Sequence, residues 1–279
     1  MKRFLAALLC LLLLAGCSAT PSNETPVIAC TTRPVAQFTE ALTQNTDLSV
    51  TAIVSEPVSC LHDYSLSVEQ MKLIGKADAV ILSGCGLEAS MEDALASAKT
   101  VIDSSEGVAT LTGDEGIDPH IWLDPARAET MAENIANALC KLYPQYDTVI
   151  RSNLDLLNAE LDTLQTEGQA ALADLSARCL ITFHDGFAYF ANAYDLTILA
   201  AMEEEAGSEP AAADLEAMVK LVTDNGLTCI FAEVNGSDRA AETVARETGA
   251  TVYKLDTAIS GDYFAAMRSN IATIKEAMG

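Results

Sequence analysis

The sequence predicts an α/β protein with two parallel-sheet (βα) lobes joined by one long rigid helix. Two observations carry this. Short β-branched runs alternate with helical stretches of about ten residues in both halves of the chain, the pattern of βα units and a parallel sheet. A longer stretch, 143–177, holds one apolar stripe at helical spacing and separates the two halves.

The first residues read as a targeting segment. Met1-Lys2-Arg3 is basic and Phe4 to Leu14 is apolar, the layout of a signal peptide. The apolar run falls short of the about 20 residues that a spanning helix needs. It ends in Leu14-Ala15-Gly16-Cys17, which resembles a bacterial lipobox, cut before Cys17, whose thiol is then acylated. The plainer alternative is an ordinary secretory signal in which Cys17 is incidental. Residues 1–16 are thus read as a lipoprotein signal peptide and 17–26 as a lipidated tether. The tether is Ser-Ala-Thr-Pro-Ser-Asn-Glu-Thr-Pro after Cys17, small, polar and flexible. No later apolar run is long enough to span a bilayer. The expected location is extracytoplasmic, on a bacterial cell membrane, held through the lipid anchor only.

The N-terminal lobe is expected over 27–142. Val27 to Thr32 is a short apolar run and reads as a buried strand. Val35 to Thr43 reads as helix and Leu48 to Val54, which is β-branched, as a second strand. Ser67 to Ile74 is helical, Ala79 to Gly84 a third strand, Leu87 to Ala98 helical and Thr100 to Asp103 a fourth strand. In the linking segment, 143–177, Ile150, Leu154, Leu157, Leu161, Leu164, Leu172 and Leu175 form the apolar stripe. Asp147, Asp155, Glu160 and Asp162 lie off it, and Pro144 sits near the start. A coiled coil would need a matching partner repeat, and the chain has none.

The C-terminal lobe, 178–279, restarts the alternation. Cys179 to Phe183, Thr197 to Leu199, Cys229 to Ala232 and Thr251 to Leu255 read as strands. Phe187 to Tyr194, Ala212 to Asn225, Asp238 to Thr248 and Tyr263 to Met278 read as helices, with Gly249 as a C-terminal cap. About 250 residues are enough for two lobes with cores of their own.

The formal net charge is −24, and loss of Lys2 and Arg3 with the leader takes it to −26. A nucleic-acid partner is excluded, because that binding needs a basic surface. A negative field attracts cations. Six cysteines remain after Cys10 and Cys17: Cys30, Cys60, Cys85, Cys140, Cys179 and Cys229. An exported location permits disulfides. None forms a Cys-x-x-Cys pair.

The chain has three histidines, each beside a carboxylate in a turn or at a strand end. They are His62 in Leu61-His62-Asp63-Tyr64, His120 in Asp118-Pro119-His120-Ile121-Trp122 and His184 in Phe183-His184-Asp185-Gly186. Taken singly, each reads as a local turn or hydrogen-bonding residue. Taken together they read as ligands, since imidazole is the commonest neutral nitrogen ligand for transition metals and a neighbouring carboxylate can fix its tautomer. Three such groups with one carboxylate suit a four-coordinate Zn²⁺. In open parallel sheets ligands bind beyond the carboxyl ends of strands, where His184, Glu233 and Asp256 are expected. The site is therefore expected in the cleft between the lobes.

These motifs amount to a resemblance. Leu61-His62-Asp63-Tyr64, Asp118 to Pro125 (Asp-Pro-His-Ile-Trp-Leu-Asp-Pro), Phe183 to Phe190, Gly207 to Pro210 with Ala213-Asp214-Leu215, Ile230 to Glu233 and Lys254-Leu255-Asp256 follow in the order seen in a known group. The chain resembles the metal-binding solute-binding lipoproteins of ABC import systems, in the zinc and manganese uptake group. The likeness runs from about Val27 to the C-terminus. It implies metal ligands at His62, His120, His184 and Asp256, with Glu233 as a rival or an orienting group. A plainer role for Asp256 is an N-terminal helix cap.

The resemblance further implies capture of a divalent ion and delivery to a membrane permease of an ABC transporter, without covalent chemistry. His184 at the third position leans to Zn²⁺ over Mn²⁺ or iron, in keeping with imidazole-rich coordination. Many zinc-type members carry a His-rich loop before the second motif, but 106–118 is short, acidic and without histidine. Cys30, Cys60 and Cys85 are expected near the cleft, most simply as a disulfide plus a free thiol; inert core thiols and direct ligation are the alternatives. Two other classes could use the same residue types. A zinc hydrolase needs an open coordination position and a general base, and the chain has no His-Glu-x-x-His. A surface adhesin, a role described for some lipoproteins of this kind, would need an adhesive motif, and none is present.

Overall fold

The computed structural model describes residues 25–58, 61, 64–113, 116–202, 211–259 and 261–279. The expectations for Cys17, Cys60, His62 and 207–210 lie outside these residues.

The N-terminal sheet has four parallel strands, β1 (Val27–Cys30), β2 (Ser49–Ala52), β3 (Ala79–Leu82) and β4 (Val101–Asp103), in the order β2-β1-β3-β4. The C-terminal sheet has β7 (Cys179–Phe183), β8 (Thr197–Ala201), β9 (Cys229–Glu233) and β10 (Thr251–Leu255), in the order β10-β9-β7-β8. Numbered within its own lobe, each sheet runs 2-1-3-4, so the two lobes repeat one topology. In this order the connections reverse direction between the first and third strands, which is the switch point where such sheets hold ligands. A short antiparallel pair, β5 (Thr112–Gly113) with β6 (Gly116–Ile117), lies between the two sheets in sequence.

Local chemistry sets the boundaries. Helix α1 (Arg33–Leu42) begins with proline in its first turn, where the missing N–H costs nothing. Helix α2 (Val68–Lys76) starts at a capping box, Ser67 with Gln70. The stretch read as one helix over 87–98 is a 3₁₀ turn, Ala89–Met91, and a single α-turn, α3 (Glu92–Leu95). The chain enters it through Gly84, Cys85 and Gly86, all with positive φ, so the segment is steered by a turn and not by helical periodicity.

Helix α4 (Pro125–Leu142) lies in a stretch whose many alanines give a faint apolar pattern. Asp124 caps it by accepting from Ala126 N, and Pro125 takes its first position. The linking helix α5 (Asp147–Leu172) is 26 residues, about 39 Å at the usual rise. It is shorter than the 143–177 expected. Pro144–Tyr146 forms a 3₁₀ turn before it. At its other end Arg178 donates to the carbonyls of Leu172 and Ala173 and to those of Tyr194 and Asp195, which closes the helix and ties it to the next lobe.

Helix α5 is the spine. Ile150, Leu157, Leu161, Leu164 and Leu172 are buried along one side, as the stripe requires. It packs against α4, α1 and the last helix, α9 (Tyr263–Met278). Gly168 lets Tyr194 and Ile271 approach: a Cβ there would lie 2.3 Å from Tyr194 Cε1 and 2.8 Å from Ile271 Cδ1. One hydrophobic core runs from the N-terminal sheet through α4 and α5 to one face of the C-terminal sheet. A second, containing Ile181, Phe183, Ile230 and Val244, fills the other face. The remaining C-terminal helices are α6 (Ala188–Ala193), α7 (Ala212–Asp224) and α8 (Arg239–Thr248), the last ended by Gly249 at φ 76°.

Among the described residues all five cysteines are free thiols, which corrects the expectation of a cleft-side disulfide for Cys30 and Cys85. Cys30 is fully buried in the N-terminal core beside Thr39, and burial pushes its thiol up to about 12, an inert core group. Burial also raises the half-buried Cys85 thiol. No helix of the described residues is long and apolar enough to cross a membrane.

Candidate metal centre

His120 opens the 3₁₀ turn Ile121–Leu123, directly ahead of the Asp124 cap. Two residues earlier, Asp118 Oδ1 accepts from His120 N at 2.9 Å and from His120 Nδ1 at 2.8 Å. One carboxylate oxygen thus fixes both the backbone and the ring. With its proton on Nδ1, the ring presents the lone pair of Nε2. That atom is buried and has no hydrogen-bond partner among the described residues, the position a ligand nitrogen would take. His120 is 1 % exposed. The segment is clamped from the other lobe, since Tyr189 Oη donates to the Asp118 carbonyl and accepts from Leu111 N, both at 2.8 Å.

His184 follows the last residue of β7 and is 5 % exposed. Its ring meets that of His120 edge to face, with centroids 5.3 Å apart and planes at 87°. Gly186 makes room for both. A Cβ at that position would lie 2.7 Å from His184 Nε2 and 3.1 Å from His120 Cε1. Any larger residue would press on both rings.

Glu233 is the last residue of β9 and is 1 % exposed. Its Oε2 stands 3.9 Å from His184 Nδ1, beyond a hydrogen bond but within electrostatic reach. β7 and β9 are neighbours in the sheet, so His184 and Glu233 occupy the C-terminal lobe's switch point. The same place in the N-terminal lobe is closed by Glu88, which the sequence reading did not single out. Its carboxylate accepts from Thr31 Oγ1 at 2.6 Å, from Ser83 N at 2.8 Å and from Gly84 N at 3.1 Å. Of two like crevices, one is filled by its own side chain and the other holds an imidazole.

Asp256 follows β10. Its Oδ1 accepts from Ala258 N at 2.8 Å, and Asn270 holds its backbone by two hydrogen bonds. It is not a helix cap, because Asp262 performs that role for α9. Burial raises its carboxyl above the ordinary range. β9 lies between β10 and β7, which sets Asp256 and His184 two strand spacings, about 10 Å, apart along the sheet edge. Among the described residues no group of three or more His, Cys, Asp and Glu side chains converges closely enough to hold an ion. The structure brings His120 and His184 together, leaves Asp256 on the rim of the same edge, and describes nothing of His62.

The chain is 28 % identical over 282 residues to the zinc-binding protein AdcA of Streptococcus pyogenes serotype M18 (strain MGAS8232), across 87 % of this chain and 54 % of that protein. It therefore spans about half the length of that relative. A crystal structure of ZnuA superposes with a TM-score of 0.82 at 30 % identity, covering 92 % of this chain and 100 % of the other. A zinc-bound deletion mutant of ZnuA gives 0.81 at 29 % identity, covering 92 % and 99 %. The family model for zinc-uptake complex component A, periplasmic, matches residues 28–277. The chain belongs to this family, the ZnuA family of periplasmic zinc-uptake components.

Proposed function

We propose that this protein captures Zn²⁺ outside the cytoplasm and delivers it to the membrane permease of an ABC transporter. The ion is cargo, and no covalent step is involved. The observation that carries the reading is the buried pair His120 and His184, with Asp118 turning His120 Nε2 inward. Zinc binding in AdcA and in the ZnuA structure supports it.

His120 and His184 are the central ligands in this reading, and His62 and Asp256 complete the set. Four protein ligands fill a tetrahedral sphere and leave no open position for catalysis. All ligands bind deprotonated, so acid releases the ion. The spine helix and the continuous core limit hinge bending between the lobes to a modest adjustment. By the same reading residues 1–16 are a signal peptide, Cys17 carries lipid and 17–26 are a tether. The lobes at 27–142 and 178–279 then stand outside the membrane, joined by 143–177.

Native mass spectrometry with metal analysis on the full chain tests this, with His120→Ala alongside. One zinc per chain, lost in the variant, is the expected result. One manganese or iron would replace the cargo, and no metal in either protein after zinc is added would overturn the reading.

A further inference from the structure

Buried hydrogen bonds tie the His120 turn to the Asp256 loop and to Glu233, which faces His184. Trp122 lies two residues after His120, and its indole N–H donates to the carbonyl of Thr257 at 2.7 Å. Thr257 directly follows Asp256. Its hydroxyl donates to Glu233 Oε1 at 3.2 Å, and the other oxygen of Glu233 faces His184 Nδ1 at 3.9 Å. Tyr263 Oη in turn donates to the Trp122 carbonyl at 2.8 Å. Trp122, Thr257 and Tyr263 are fully buried.

Buried polar groups of this kind have to be satisfied, and a fully buried carboxylate such as Glu233 needs donors most of all. A carboxylate near the second ring nitrogen of a ligand imidazole helps to fix its tautomer and strengthens it as a donor to the ion. Thr257 holds the far oxygen of Glu233, and so takes part in setting the direction in which the near oxygen faces His184. The same residue, gripped at its carbonyl by Trp122, ties the Asp256 loop to the His120 turn.

We propose that Thr257 is a positioning residue for the ion: its hydroxyl aims Glu233 at His184, while its carbonyl, held by Trp122, sets the Asp256 loop against His120. The inference rests on His120, His184 and Asp256 serving as ligands. It gives Glu233 the role of orienting a ligand.

The test measures zinc affinity of the full chain by competition with a chelator, beside the melting temperature without metal. Thr257→Val keeps the shape and the carbonyl and removes only the hydroxyl. Outer-shell partners of metal ligands are worth roughly 10–100-fold in affinity, and Thr257→Val is expected at the low end, about 10-fold weaker than wild type. Thr257→Ser restores the hydroxyl and is expected near wild-type affinity. Nitrogen-15 NMR of His184 is expected to show one ring tautomer in wild type and Thr257→Ser and a mixture in Thr257→Val. A purely structural role would lower the melting temperature and leave the tautomer alone, and that outcome would overturn the proposal. So would a Thr257→Val protein that binds zinc as tightly as a binding-competent wild type, which would leave the zinc reading standing. A wild type that binds no zinc would overturn the zinc reading and this inference together.

Discussion

The imidazoles of His120 and His184 meet edge to face with Gly186 against both, though one belongs to the segment leaving the first lobe and the other ends a strand of the second. The hydrogen bonds of Asp118 and Tyr189 hold the first, and the end of β7 holds the second.

Gly186→Ala adds one methyl where no space exists. Overpacking of this kind costs typically 1–3 kcal/mol. If the strain falls on the ion-binding form, zinc affinity drops roughly 5- to 150-fold. Isothermal titration against wild type reads this directly. Unchanged affinity would mean that the two rings do not flank the ion.

Asp118→Asn removes the acceptor that holds His120 Nδ1. The amide can turn its N–H₂ toward the ring and so favour the wrong tautomer. Zinc affinity is expected to fall about 10–100-fold, with far-UV circular dichroism unchanged. Equal affinity would release Asp118 from its orienting role.

Burial holds the Asp256 carboxyl above its unfolded value. A raised pKa favours the folded state below the unfolded carboxylate range, and that contribution is lost as pH rises through the folded value. In metal-free protein at neutral pH the charged group is therefore a cost, which a bound cation offsets. Asp256→Asn keeps the bond from Ala258 N and removes the charge. Its melting temperature without metal is expected to equal or exceed wild type at pH 8. The stabilisation by zinc, about 4 kcal/mol for wild type at 1,000 times its dissociation constant, is expected to shrink. Scanning calorimetry with and without zinc separates the two effects.

Glu129 on α4 faces Asp162 on α5, with Glu133 and Asp124 nearby, and burial followed by these charges raises its carboxyl from 4.5 to about 7. Its contribution to stability is full below about pH 4.5 and is lost as pH rises through about 7. Glu129→Gln is expected to raise the melting temperature at pH 8 and to leave it nearly unchanged at pH 5. An equal shift at both values would contradict this.

Much of the fold was legible because its strands are continuous β-branched runs and its long helix has a single stripe. The bounds of β10 and of α9 match the sequence reading, where Gly249 and Asp262 punctuate the chain. Helix α4 was missed although Asp124-Pro125 is a helix start, because its many alanines give a faint apolar pattern. The motifs singled out His120 and His184, whose rings the fold brings together, and Asp118 could be read from its spacing to His120. Glu88 and Thr257 could not be read. Their partners come from strand order and register, β1 beside β3 and β9 beside β10, which local sequence does not record. The free thiols were equally hidden, since burial of Cys30 depends on how α1 packs against β1.

X-ray absorption at the zinc edge on the zinc-loaded full chain tests the interlobe centre most directly. Three imidazole nitrogens at about 2.0–2.1 Å with one carboxylate oxygen at about 2.0–2.2 Å are expected, with one imidazole lost in each of His62→Ala, His120→Ala and His184→Ala. A sulfur shell at about 2.3 Å, or a spectrum unchanged by His120→Ala, would contradict it.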